Sequence, residues 1–281
     1  MSDAPLHPLE VLRFYAESGV DIALDETAPN RLEAPAPVVE GYQFEVPKRD
    51  TQKREAPKPF GSQAPALGSQ SAARNGAQPA APDAAIRDAG KLAAGANSLD
   101  ELRAALESFA GCALKTTAMR TVFADGNPQT RIMFVGEAPG ADEDREGLPF
   151  VGRSGKLLDR MMAAIDLDRT SVYIANIIPW RPPGNRTPTP QESAICLPFI
   201  KRQIELVNPD ILVCLGGPSA TTLLEVREGI TRSRGRWFDY DTGTRKIKAI
   251  ALFHPAYLLR SPAHKKLAWQ DLLSIKKALA Q

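Results

Sequence analysis

The stretch Gly136-Glu137-Ala138-Pro139-Gly140 ends an apolar run, is followed at once by Glu143 and Asp144, and leads into Leu148-Pro149-Phe150-Val151-Gly152. A strand that stops in a Gly/Pro turn and then presents carboxylates and an exposed aromatic ring forms the floor of a pocket for a small planar ligand. Far downstream, a second apolar run from Ile247 to Phe253 ends in His254-Pro255-Ala256-Tyr257-Leu258-Leu259-Arg260. One strand end is acidic and the other carries a histidine, so the two are suited to face each other across a sheet. The first stretch lacks the three-glycine spacing of a dinucleotide fingerprint, opens no immediate helix and is not a P-loop.

These residues need elements to hold them. Apolar, β-branched runs over 131–136, 172–178, 211–216 and 247–253 read as strands, and helical patterns occupy 155–165, 190–207, 218–226 and 264–280. Ser98, with Glu101 after it, caps a further helix through about Phe109. Continuous apolar strands separated by helices imply an α/β fold, a three-layer αβα sandwich around a mainly parallel four-stranded sheet. Ligands of such sheets bind beyond the carboxyl ends of the strands, where Glu137, Asn176 and His254 all fall.

Three regions follow from composition. Residues 1–27 contain Leu6, Leu9, Leu12 and Ala16 at helical spacing, an amphipathic helix around 8–18 that either docks on its own domain or binds a protein partner. Residues 28–95 read as a disordered Pro/Ala-rich linker, with nine prolines between Ala28 and Asp83. Residues 96–281 form the folded domain. No run approaches the roughly 20 apolar residues of a membrane span, and Met1 to Glu10 lack a signal peptide, so the expected place is the bacterial cytoplasm. Cys112, Cys196 and Cys214 are too few for a disulfide framework. Residues 226–281 hold 12 basic side chains against 4 acidic, which suits either a solvated face or a phosphate-binding surface.

Five collinear motifs resemble the family-four uracil-DNA glycosylases: Gly136–Gly140 with Glu143-Asp144; Gly147–Gly152; Val172-Tyr173-Ile174-Ala175-Asn176; Arg181-Pro182-Pro183-Gly184-Asn185-Arg186-Thr187-Pro188; and His254–Arg260. The resemblance runs from about Cys112 to the C-terminus. It implies a uracil-DNA glycosylase fold and a monofunctional enzyme that flips uracil out of DNA and hydrolyses its N-glycosidic bond, initiating base excision repair. By resemblance, Gly136, Ala138, Glu143, Phe150 and Asn176 form the uracil site. Phe150 stacks on the base, the Asn176 amide reads its edge, and Glu143 closes the space beside C5 where thymine has a methyl. His254 donates to uracil O2 as charge develops there, and Glu137 orients water or stabilises the sugar; Ala138 stands where other branches carry a water-activating Asp. By the same resemblance Leu258 and Leu259 enter the minor groove, which places Arg260, Lys265 and Lys266 to hold the flanking phosphates; Arg232, Arg234 and Arg236 on a neighbouring loop either do likewise or are ordinary surface charge.

The chain departs from the family at the iron-sulfur cluster that its members typically bind. Cys112 and Cys196 match two of the four ligands, but Phe109 and Trp180 occupy the other two. Neither aromatic offers iron a suitable lone pair, so the expectation is no metal and no cofactor, with the aromatics packed where the cluster would sit. The Arg181–Pro188 loop has no histidine, so covalent trapping of abasic DNA is not expected. DNA containing uracil is the expected partner of a chain expected to be monomeric. Two alternatives stay open: a glycosylase for another deaminated base such as hypoxanthine, and a non-catalytic protein that binds uracil or abasic DNA.

Overall fold

The computed structural model describes residues 82–280. The helix expected over 8–18 and the linker over 28–81 lie outside the described residues. Residues 82–95, read above as the end of that linker, instead form helix α1 (Pro82–Gly95). Its Ala85, Ala89 and Ala93 are buried at four-residue spacing, and this small-residue stripe lets α1 pack closely on a later helix over 190–207.

Helix α2 (Leu99–Ser108) starts where its cap predicts: Ser98 Oγ accepts from the Glu101 N–H at 3.1 Å, and Glu101 Oε2 accepts from the Asn97 N–H at 2.7 Å. Then come β1 (Asp125–Gly126), β2 (Ile132–Gly136), α3 (Ala141–Glu146), α4 (Arg153–Ala163) and β3 (Tyr173–Asn176). After them run α5 (Pro190–Val207), β4 (Ile211–Leu215), α6 (Gly217–Leu224), α7 (Ile230–Ser233), β5 (Trp237–Asp241), β6 (Lys246–Leu252), α8 (Pro255–Arg260) and α9 (Lys265–Leu279). Helix α3 corrects the expectation of no immediate helix after Gly140, whose backbone caps it.

The sheet has six strands in the order β1-β3-β2-β4-β6-β5. The four anticipated strands form its parallel centre, and the correction is the pair of antiparallel edges, β1 on β3 and β5 on β6. Every residue of β2, β3 and β4 is buried. Alternate residues face different layers: Met133 and Val135 pack with α1, α2 and α5, whereas Ile132 and Phe134 pack with α4 and α9. The result is the three-layer arrangement. Among the described residues no helix is long and apolar enough to cross a membrane.

Candidate active site and its relatives

A cavity of about 610 Å³ opens at the carboxyl ends of the parallel strands, lined among others by Glu137, Ala138, Glu143, Phe150, Asn176, His254 and Arg260. Strand register brings two of the motifs together, since Gly136 pairs with Asn176 across β2 and β3. Gly136 does not line the cavity; it makes room for what does. A Cβ there would meet Asn176 Oδ1 at 2.4 Å and the Phe150 ring at 2.7 Å.

Asn176 ends β3 and is 5% exposed. Its Oδ1 is buried and has no hydrogen-bond partner among the described residues. Native structures leave few such acceptors unsatisfied, because each costs about 1–3 kcal/mol. Phe150, expected to be exposed, is 4% exposed, and its ring centroid lies 5.5 Å from that of His254.

His254 precedes α8 and caps it, its Nδ1 accepting from the Ala256 N–H at 3.1 Å. An occupied Nδ1 lone pair leaves the proton of a neutral imidazole on Nε2. Burial, and then the positive charge of Arg260, bring the His254 pKa down to about 4. The ring is therefore neutral at pH 7 and offers a fixed N–H donor. Glu137, half-buried at the end of β2, has its pKa raised by burial, so it holds a proton more readily than an exposed carboxylate.

Glu143 and Asp144 face inward rather than toward solvent. Glu143 Oε2 accepts from the Gly140 N–H at 3.0 Å and Oε1 from the Gly152 N–H at 2.9 Å, so this one carboxylate ties the two turns of the cavity floor together. Asp144, 2% exposed, accepts from the Met119 N–H at 2.8 Å and the Arg120 N–H at 3.3 Å.

The expected DNA-contacting residues separate into two groups. Arg232, Leu259, Arg260 and Lys265 are exposed. Leu258 is not: it is 1% exposed and packs in the core, because it lies on the inner face of α8 rather than in a loop. Arg234 is also withdrawn. Its guanidinium Nε donates to Asp271 Oδ2 at 2.7 Å, Nη2 donates to Leu267 O at 2.8 Å, and the group lies over the Phe253 ring. It fastens α9 to the loop after α7. Arg236 pairs with Glu228. Sequence reasoning assigned no role to Tyr257, which lines the cavity, nor to Ser154 and Gly216 beside it; a positive φ of 95° at Gly216, close against His254, is the signal a glycine there carries.

The residues at the four cluster positions do not fit an iron-sulfur cluster. Cys112 and Cys196 are buried free thiols, and hydrogen bonding between them lowers the pKa of Cys112 while raising that of Cys196. Phe109 packs on Phe199 with centroids 5.3 Å apart, and Trp180, 1% exposed, donates from Nε1 to Thr121 Oγ1 at 3.1 Å. No group of three or more His, Cys, Asp or Glu side chains suited to a metal occurs among the described residues. Cys214 lies within β4, where burial raises its pKa to about 12.

Residues 123–273 match the model of the uracil DNA glycosylase superfamily. The chain is 41% identical over 169 residues to a type-4 uracil-DNA glycosylase of Archaeoglobus fulgidus, a match spanning 59% of this chain and 85% of that one. It is 41% identical over 168 residues to the type-4 enzyme of Thermotoga maritima, covering 59% and 86%, and 36% identical over 189 residues to that of Saccharolobus solfataricus, covering 66% and 88%. With the motifs assembled around one cavity, the chain belongs to the uracil-DNA glycosylase superfamily and, within it, to the type-4 uracil-DNA glycosylases.

Proposed function

We propose that the cavity receives uracil flipped out of DNA and that Asn176, Phe150, His254 and Glu137 share its recognition and release. Excision of uracil by hydrolysis of the N-glycosidic bond, the first step of base excision repair, is the function of this chain as a type-4 enzyme. The observation that carries the assignment of residues is the buried, unpartnered Asn176 Oδ1. Uracil N3–H supplies the missing donor, and the amide Nδ2 donates in return to O4. Cytosine would set a ring-nitrogen lone pair against that oxygen and is refused.

Phe150 supports the base by stacking, which adds affinity without choosing the base. As the C1′–N1 bond breaks, its electron pair passes to the base, and the neutral His254 donates from Nε2 to O2 where the charge collects. A water molecule adds to C1′ and gives up one proton, which ends on the departing uracil anion so that neutral uracil and a C1′ hydroxyl are the products. Glu137 accepts a hydrogen bond from that water and faces the positive charge growing on the sugar, and its partial burial strengthens both interactions. Glu143, held by two backbone N–H groups, closes the space beside C5 against a methyl.

The exposed Leu259 takes the part of the apolar wedge, and Arg232, Arg260, Lys265 and Lys266 hold phosphates. The placement of Lys265 and Lys266 in the first turn of α9 supports this, because cations there oppose the helix dipole and gain when an anion approaches. We infer that the protein works without an iron-sulfur cluster. The test is a cleavage assay on oligonucleotides containing uracil, hypoxanthine or thymine opposite guanine, followed by alkaline scission. Scission at uracil, slowed in Asn176→Ala and His254→Ala, is the expected result. Scission at the wild-type rate in both variants would move the site elsewhere.

A further inference from the structure

The loop that carries Phe150 is built in an uncommon conformation. Phe150 has φ 55°, in the left-handed region that side chains other than glycine rarely adopt. The loop then passes so close to α4 that a Cβ on Gly155 would fall 1.7 Å from Phe150 O. Something must hold it there. Behind the loop, away from the cavity, lies Arg169, from the connection between α4 and β3. Its Nη1 donates to Pro149 O at 3.1 Å and its Nη2 donates to Phe150 O, so one guanidinium binds two consecutive carbonyls. Its remaining donors reach Asp159 Oδ1 on α4, at 2.9 Å from Nε, and Asp125 on the edge strand β1.

We propose that Arg169 is a positioning residue for base recognition: anchored by Asp125 and Asp159, it clamps the Pro149 and Phe150 carbonyls and so holds the Phe150 ring in the cavity. The inference rests on the reading that this cavity takes uracil. A planar fork with donors on several edges suits the task. A lysine ammonium placed there would keep the attraction to the two carboxylates but is a point donor that does not reproduce the fork. The ring so held also packs against Gly136 and near His254, so a loop released from Arg169 would loosen the wall beside His254.

The experiment is a double-mutant cycle on the full chain, measuring kcat/KM on a uracil-containing single strand for Phe150→Ala, Arg169→Gln, Arg169→Lys and Phe150→Ala with Arg169→Gln, each checked for folding by circular dichroism and thermal unfolding. Phe150→Ala is expected to lose about tenfold to a hundredfold, the range of one lost stacking platform. Arg169→Gln should lose a comparable factor, Arg169→Lys less, and the double variant no more than Phe150→Ala alone, because the ring can be lost only once. Should Arg169→Gln fail to fold, Arg169→Lys in both backgrounds carries the same comparison. Losses that multiply in the double variant, or normal kcat/KM in the folded Arg169 variants beside an impaired Phe150→Ala, would overturn the role of Arg169 and leave the cavity assignment standing. A fully active Phe150→Ala would overturn the cavity assignment itself, and this inference with it.

Discussion

The Ala256 backbone N–H donates to His254 Nδ1 at 3.1 Å, and this one bond decides which nitrogen of the imidazole carries the proton. His254→Ala removes the Nε2–H donor and should lower the excision rate by roughly a hundredfold to a thousandfold, the loss usual for one preorganised donor. Affinity for uracil-free DNA should stay close to normal. Single-turnover kinetics alongside a binding titration separate the two, and near-normal turnover would remove His254 from the reaction.

The same residue makes stability depend on pH. Its pKa falls from 6.5 to about 4 on folding, so the unfolded chain binds a proton that the folded chain refuses. The contribution to stability is full above pH 6.5 and is lost as the pH falls toward about 4. Denaturant titrations of the wild type and His254→Gln across this window should show a steeper decline with acid in the wild type. Parallel curves would show that the imidazole is not held neutral.

Asn176→Ala should separate function from stability. Without the amide, uracil loses its edge contact and kcat/KM should fall by about tenfold or more, as expected when a hydrogen-bonded group specific to one base is deleted. The protein should unfold at the same denaturant concentration or a higher one, because the substitution removes a buried acceptor that has no protein partner. A large destabilisation would assign Asn176 to the fold instead.

Salt dependence distinguishes the arginines. Neutralising Arg260 or Lys265 should reduce the slope of log affinity against log salt by about 0.9 per lost phosphate contact. Arg234→Gln should leave that slope unchanged and cost about 3–5 kcal/mol of stability, since it strands the buried carboxylate of Asp271. If Arg234→Gln instead weakened DNA binding with normal stability, its ion pair would not hold in solution.

Purified protein should be colourless and without stoichiometric iron, since two of the four thiolate ligands of a cluster are absent. Trp180→Ala should destabilise the fold by about 3–5 kcal/mol, the range for a buried large aromatic. About four irons per chain, the content of one four-iron cluster, in anaerobically prepared protein would refute the aromatic replacement.

Much of this was legible in the amino-acid sequence. The four central strands are continuous apolar runs because parallel strands are covered on both faces, and the chemistry-bearing residues follow them because a strand's carboxyl end is where the chain emerges into a crevice. What the tertiary structure decided has no local signature. The stripe Ala85, Ala89 and Ala93 hid within Ala-rich linker composition, and it becomes a helix face only against α5. Strand β1 is two residues long, and β5 is only partly buried, so neither shows an apolar run. Leu258 and Leu259 are adjacent and chemically identical, and only the orientation of α8 sends one into the core and the other toward solvent. Likewise Arg234 meets Asp271 across 37 residues of chain, and Arg169 reaches back to the Phe150 carbonyl. Periodicity reports how each segment is buried, whereas these pairings depend on which segments the fold brings within hydrogen-bond reach, and that is a property of the packed layers.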